Sequence, residues 1–142
     1  MFLDASAIVA ILLEEPEADQ FIDKIAATLS PILLSPLVRY EVVMALARAH
    51  GTDAQISAPA IDAATRALDA FLAEIETDEL AISSEIGAKA ITAQQRYGKL
   101  VGHPARLNYG DCFAYACAKA KNVPLLYKGD DFTHTDLGGV VT

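Results

Sequence analysis

The sequence has few of the residues from which disulfides and zinc sites are built. It contains only 2 cysteines and 3 histidines in 142 residues. Cys112 and Cys117 are five positions apart in a predicted helix and point to different faces, which favours two buried thiols over a disulfide or a metal pair. The histidines are scattered without the H-x-x-x-H spacing of a helical zinc site.

Long apolar runs are also missing. No stretch approaches the roughly 18 apolar residues that a membrane-spanning helix needs. The apolar N-terminus has no basic flank and leads into an acidic stretch, unlike a signal peptide. Without low-complexity tracts, and with 53% hydrophobic and 21% charged residues, the chain is typical of one globular domain over residues 1–142. We expect a soluble, cytoplasmic protein.

Basic residues are scarce, and they are unevenly distributed. The chain has 11 Lys and Arg against 19 Asp and Glu, a net charge of −8. Residues 1–82 hold 4 basic and 14 acidic residues, whereas residues 83–142 hold 7 basic and 5 acidic residues. A local basic surface is therefore permitted in the second part, and nucleic acid stays open as a partner.

Short apolar segments alternate with amphipathic ones along the chain. We predict loops over 52–57 and 99–110. Strands are predicted at 2–4, 31–36, 79–83 and 123–129, with a possible last one in GGVVT (138–142). Helices are predicted from a Ser6 cap, from near Pro16, from Pro36 to Gly51, from Pro59, from 85 to Gly98 and from Asp111. This alternation predicts an α/β fold whose parallel sheet is covered on both faces and binds ligands at the carboxyl ends of its strands.

Acidic residues recur where the predicted strands end. Asp4 closes the first strand, Glu41 lies in the helix after the second, and Asp111 starts a helix that can reach the same edge. Asp130 and Asp131 follow the strand of VPLLYKG. Each has a plainer alternative, since Asp111 can serve the helix dipole, Asp130 a turn, and Glu41 an ion pair with Arg39 or Arg48.

Clustered carboxylates need a cation, or retained protons, because like charges in one place cannot all ionise. An all-oxygen set suits Mg²⁺ or Mn²⁺ rather than zinc. Such an ion lowers the pKa of a bound water and stabilises a phosphoryl transition state. The pattern therefore favours phosphodiester hydrolysis.

Four motifs together resemble a known family. They are DASAIVAILLEEPEA, SPLVRYE ending in Glu41, LNYGDCFAYACA with Asp111, and LLYKGDDF followed by Thr135 and Asp136. In this order, over residues 1 to about 137, the chain is similar to the PIN-domain ribonucleases and, more narrowly, to the VapC toxins of bacterial type II toxin–antitoxin pairs. The resemblance implies a PIN-like three-layer α/β/α sandwich with a short, mainly parallel sheet and flanking helices.

The resemblance also implies roles for individual residues. Asp4, Glu41, Asp111 and a fourth acid would be the catalytic metal ligands. For the fourth we prefer Asp130, which follows the strand directly, with Asp131 as the alternative. Ser6 would hold a metal-bound water beside Asp4, and Asn108 would support Asp111.

By the same resemblance, the protein would be a Mg²⁺- or Mn²⁺-dependent endoribonuclease that uses a metal-activated water. Its products would be a 5′-phosphate and a 3′-hydroxyl, a VapB-type antitoxin would block it, and it would form a homodimer. Candidates for steering the RNA backbone are Arg96, Lys99, Arg106, Lys119, Lys121 and Lys128. The alternative for these six is ordinary solvated surface.

Two other functions compete with this interpretation. A Mg²⁺-binding phosphoacceptor signalling domain also carries acids at strand ends, but it expects paired acids near the first strand and an acceptor after a middle one, where PILLSP has none. A non-catalytic PIN-like interaction module needs no intact acid set, yet every acidic position is filled here.

Overall fold

A four-stranded sheet with very short strands lies at the centre of the computed structural model, which describes residues 1–51 and 55–137. The strands are β1 (Phe2–Leu3), β2 (Leu33–Leu34), β3 (Asp78–Glu79) and β4 (Leu125–Leu126). Their order is β3-β2-β1-β4, and every described pairing is parallel. The predicted strand at 138–142 and residues 52–54 of the predicted loop lie outside the described residues.

The register places the ends of β1 and β4 side by side. Phe2 pairs with Leu125 and Leu3 with Leu126, and these four side chains are fully buried. One further bond, from the Asp4 N–H to the Leu126 carbonyl at 2.9 Å, extends the ladder. Asp4 therefore leaves the sheet beside the segment that follows β4.

Within residues 1–51 and 55–137, six helices flank the sheet in the predicted three-layer α/β/α arrangement. They are α1 (Ala5–Leu12), α2 (Ala18–Ala27), α3 (Pro36–Ala49), α4 (Ala58–Glu74), α5 (Ser84–Tyr97) and α6 (Tyr109–Lys121). Helices α1 to α4 pack on one another and α5 packs on α6. Two 3₁₀ segments, Lys99–Val101 and Asp131–His134, follow α5 and β4. No helix in the described ranges has the length and apolarity to cross a membrane.

Side-chain caps explain most helix starts. Ser35 caps α3 and Ser57 caps α4, each followed by a proline in the first turn, and Ser83 caps α5. In each helix the serine hydroxyl accepts a backbone N–H three residues ahead at 3.2 Å, as expected of an N-cap.

Several element boundaries differ from the sequence prediction, and β2 and β4 are shorter than the predicted 31–36 and 123–129. Asp4, not Ser6, caps α1. Helix α6 begins at Tyr109 rather than Asp111, because Asn108 provides its cap. Helix α2 begins at Ala18, two residues after Pro16, and β3 covers 78–79 rather than 79–83. Aspartate and asparagine are preferred N-caps, which explains why α1 and α6 begin further upstream than predicted.

The core is one continuous hydrophobic cluster that includes the strands and the inner faces of the helices. Cys112 and Cys117 are both free thiols within it. The prediction of two buried thiols is therefore confirmed.

Candidate active site

Asp4 is an acidic side chain placed inside the core. Its residue is only 6% exposed, and its Oδ2 accepts the Ser6 backbone N–H at 3.0 Å and the Ser6 hydroxyl. Burial raises the pKa of Asp4, and the charge of Asp131 raises it further, against the lowering effect of the Ser6 hydrogen bonds. The carboxylate is held in position by a helix N-terminus, in an environment that disfavours its charge.

Ser6 joins the two strand ends that carry acids. Its hydroxyl donates to Asp4 Oδ2 and accepts the Lys128 backbone N–H at 3.0 Å. Lys128 belongs to the segment that leads from β4 to Asp130 and Asp131. Ser6 therefore orients Asp4 and links the segment after β4 to α1. Its contact with a metal-bound water stays a prediction.

Asp111 and Asn108 hold each other at the start of α6. The Asp111 N–H donates to Asn108 Oδ1 at 2.9 Å, and the Asn108 N–H donates to Asp111 Oδ2 at 2.8 Å. This reciprocal capping box places Asn108 against Asp111, the neighbour that the resemblance implied. Burial raises the pKa of Asp111 to about 6, with the charges of Asp4 and Asp131 adding to it and the Asn108 bond opposing it.

Glu41 reaches the same place from α3. Burial raises its pKa to about 7, and the charges of Asp4 and Asp111 contribute to the increase. The alternative of an ion pair with Arg39 is wrong, because Arg39 binds Asp69 at 2.5 Å and Glu79 at 2.8 Å. Arg48 forms no ion pair within the described ranges. Three acids from three different elements thus repel one another at one edge of the sheet.

Gly110 lies against two residues of the candidate site, a close approach that sequence reasoning missed. A Cβ built on it would lie 2.2 Å from Glu41 Oε1 and 3.3 Å from Asn108 Oδ1. The Glu41 carboxylate therefore occupies the space beside the first turn of α6, where any other residue would place its side chain. The available signal was a glycine inside a helix, which is unfavourable unless close approach requires it.

The PIN-domain family model matches residues 1–137. The chain belongs to the PIN-domain family. Among curated relatives, a VapC ribonuclease of Rhizobium meliloti strain 1021 is 44% identical over 140 residues, covering 96% of this chain and 99% of its own. Ribonuclease VapC30 of Mycobacterium tuberculosis is 38% identical over 140 residues, covering 99% and 98%. These matches place the chain among the VapC proteins.

Solved structures agree on the fold. Mycobacterium tuberculosis VapC20, described as a sarcin–ricin loop cleaving toxin, superposes with a TM-score of 0.68 at 19% identity, covering 99% of this chain and 95% of that chain. A toxin–antitoxin complex from Klebsiella pneumoniae gives a TM-score of 0.68 at 18% identity with the same coverage. The fold of this chain is therefore shared with these two solved structures.

The two aspartates after β4 differ in their relation to this PIN-domain site. The charge of Asp131 acts on both Asp4 and Asp111. Asp130 instead organises a turn, in which its carbonyl accepts the N–H of Thr133 at 3.0 Å and the Thr133 hydroxyl at 2.6 Å. The charge effect on Asp4 and Asp111 is the one observation that distinguishes the two, and it favours Asp131, the alternative considered above, over Asp130 as the fourth acid.

Half of the six candidate RNA-steering residues are already paired. Lys128 binds Glu15 and, at 3.1 Å, Glu17. Arg96 and Lys119 both bind Asp136, at 3.8 and 3.3 Å. The other three, Lys99, Arg106 and Lys121, make no ion pair with any residue in 1–51 or 55–137.

The donor set fits a hydrated hard cation rather than a closed metal cage. Over the described parts of the chain, no three His, Cys, Asp or Glu side chains are grouped tightly enough to enclose an ion. Mg²⁺ usually keeps several waters and takes only one or two protein carboxylates, so a closed cage is not required. The raised pKa values of Glu41 and Asp111 indicate that ionising both acids is unfavourable unless a cation offsets their charge.

The stability of the metal-free protein is expected to fall as pH rises from about 5 to about 8. Glu41 and Asp111 have folded-state pKa values raised to about 7 and about 6, so the folded state holds their protons more tightly than the unfolded state does. Ionising them therefore favours unfolding. Urea unfolding in EDTA across this pH range measures the effect.

Glu41→Gln provides the control for this pH dependence. The variant should be more stable than wild type at pH 8, and the difference should shrink towards pH 5, where wild-type Glu41 is protonated. A difference that is constant with pH would contradict the raised pKa of Glu41.

Proposed function

We propose that this protein is the toxin of a type II toxin–antitoxin pair and a Mg²⁺- or Mn²⁺-dependent endoribonuclease. Family membership with VapC ribonucleases supports RNA cleavage. The observation that carries the metal dependence is the convergence of Asp4, Glu41 and Asp111, each with a pKa raised by burial and by neighbouring acids. Such a site is stable with its acids ionised only when a cation is present.

The four acids of the proposed site are Asp4, Glu41, Asp111 and Asp131. An ion held by them would supply a Lewis acid that activates water and stabilises charge on the phosphate oxygens. The protein contributes the positions of the ligands. Ser6 fixes Asp4, and Asn108 fixes Asp111. Glu41 lies against the first turn of α6, where the helix dipole favours a negative charge.

We further propose hydrolysis with a 5′-phosphate and a 3′-hydroxyl as products, inhibition by a VapB-type antitoxin, and a homodimer as the working unit. The Klebsiella pneumoniae structure with the same fold is a toxin–antitoxin complex, and a Rickettsia felis one is VapBC2 bound to a DNA fragment from its promoter. Neither the phosphoacceptor alternative nor the non-catalytic module has an observation in its favour.

RNA cleavage by the purified protein is expected to stop in EDTA and to return with Mg²⁺ or Mn²⁺, because hard cations suit an all-carboxylate site. A time course on total bacterial RNA measures this. Expression of the wild type in a bacterial host should arrest growth. Cleavage that continues at full rate in EDTA, after repeated chelation of the protein stock, would contradict the proposal.

A further inference from the structure

A basic pocket lies in the connection between α5 and α6, just before the acidic site. The concavity has a volume of about 410 Å³ and is lined by Lys99, Gly102, His103, Pro104 and Arg106. No lining residue is acidic, although the whole chain carries a net charge of −8. The pocket is thus a locally basic surface on a protein whose net charge is negative.

Backbone hydrogen bonds join the two ends of the loop that forms the pocket. The Lys99 N–H donates to the Leu107 carbonyl at 2.9 Å, and the Leu107 N–H donates to the Tyr97 carbonyl at 3.1 Å. Leu107 is fully buried, and the Arg106 N–H bonds to the His103 carbonyl at 2.9 Å. The two ends of the loop are therefore anchored, and the backbone that carries its basic side chains is held in place.

The His103 ring has one nitrogen that the loop itself uses and one that can donate a hydrogen bond. Its Nδ1 accepts the Ala105 N–H at 3.1 Å, and its ring packs edge-on against Tyr97 with 5.3 Å between centroids. With Nδ1 acting as the acceptor, the proton of the neutral ring is on Nε2. That N–H faces away from the loop's own hydrogen bond.

Arg106 occupies a backbone conformation that an arginine does not favour. Its φ is 52°, in the left-handed region where glycine is less strained. Turn stability therefore does not explain an arginine here. Its guanidinium and the Lys99 ammonium pair with no acid in the described ranges, whereas Arg96, Lys119 and Lys128 are all paired.

We propose that this pocket binds a backbone phosphate of the RNA, held by Lys99, His103 and Arg106. The inference rests on the proposed function, because the substrate is taken to be RNA. Two cations and a ring N–H match the oxygens of a phosphate. Arg106 is two residues before Asn108, at most about 7 Å along the chain, so one RNA strand can occupy the pocket and the acidic site together.

The test is a double variant, Lys99→Gln with Arg106→Gly, in the full-length protein. Glycine suits the left-handed position, so the melting temperature should be unchanged or higher. The control is Arg48→Gln, which also removes an exposed cation that forms no ion pair in the described ranges. Arg48 lies seven residues after Glu41 in α3, about 10 Å along the helix from that acid.

Binding of a fluorescein-labelled single-stranded oligoribonucleotide is measured in EDTA, over a range of salt concentrations. The double variant should bind about tenfold or more weakly, and its salt slope should fall by about 0.7 for each phosphate that the protein no longer neutralises. Arg48→Gln should bind like wild type. In cleavage assays with Mg²⁺, the double variant should raise KM and leave kcat nearly unchanged.

Several results would overturn the proposal. These are wild-type affinity in the double variant, equally weak binding by Arg48→Gln, or no RNA binding by the wild type. Failure of the proposed function would give a different result. If RNA binds through Lys99 and Arg106 but is not cut with Mg²⁺ or Mn²⁺, the proposed nuclease activity is wrong and the proposed phosphate pocket still holds.

Discussion

Asp4→Asn is expected to reduce RNA cleavage by at least about a thousandfold while leaving the protein folded. Losing one buried ligand of a catalytic cation costs several kcal/mol of transition-state stabilisation, and about 4 kcal/mol is a thousandfold in rate. Asp4 is the most buried of the candidate acids, at 6% exposure, so no nearby water or flexible side chain readily replaces it. Single-turnover cleavage in Mg²⁺ measures the effect.

The fold should tolerate this change because of what Asp4 does locally. It caps α1 by accepting the Ser6 N–H at 3.0 Å, and an asparagine oxygen serves equally well as an N-cap. Asparagine also removes a buried charge that Asp131 repels. The free energy of unfolding in EDTA should therefore be unchanged or higher. Asp4→Ala, which has no cap, should be less stable by about 0.5–2 kcal/mol.

Asp62→Asn is a matched control for this experiment. Asp62 is an exposed acid of α4 that pairs with Arg66 within its own helix, so the substitution removes the same charge from a helix that carries none of the candidate acids. It should cleave RNA like wild type. If Asp4→Asn cleaved as fast as this control, Asp4 would not be a metal ligand. If it unfolded, the buried carboxylate would have a structural partner.

Much of this site could be predicted because topology determines where strand ends meet. Asp4 closes the first apolar segment, Glu41 lies in the helix after the second, and Asp111 starts a helix that can reach the same edge. The carboxyl ends of parallel strands share that edge. The same reasoning could not separate Asp130 from Asp131. Adjacent residues point in different directions, and which one faces the site depends on the 3₁₀ turn at Asp131–His134.

Side-chain pairing was the least predictable part. Lys128 and Arg96 looked like free surface charges in the sequence, yet each meets an acid that is distant along the chain, Glu15 or Asp136. Helix starts depended on competition between neighbouring caps, as with Asn108 ahead of Asp111. Ion pairs between distant residues form only when separate elements pack, so a local pattern does not contain them.

Gly110→Ala tests the close approach that sequence reasoning missed, and we expect it to reduce kcat/KM by about a hundredfold or more. The new methyl group would lie 2.2 Å from Glu41 Oε1, so the carboxylate must move. A displacement of about 1 Å in a catalytic group costs on the order of a hundredfold in rate. Steady-state cleavage of a short RNA measures the change.

Gly110→Ala should lose activity without losing stability. This result would distinguish a displaced carboxylate from a misfolded protein. The atom in conflict is the end of a flexible side chain, so Glu41 can rotate away at small cost in folding free energy. Alanine is also at least as good a helix residue as glycine. The melting temperature of Gly110→Ala should therefore stay close to that of wild type.

Gly87→Ala supplies the comparison, because a Cβ at this position of α5 meets nothing within 4 Å. It should be at least as stable as wild type and fully active. A Gly110→Ala protein that cleaved RNA equally well would show that Glu41 can act from another position, and its carboxylate would then not be a metal ligand held by the first turn of α6. Loss of activity in Gly110→Ala alone, with both proteins folded, would mean that the glycine is required for the placement of a carboxylate rather than for the helix.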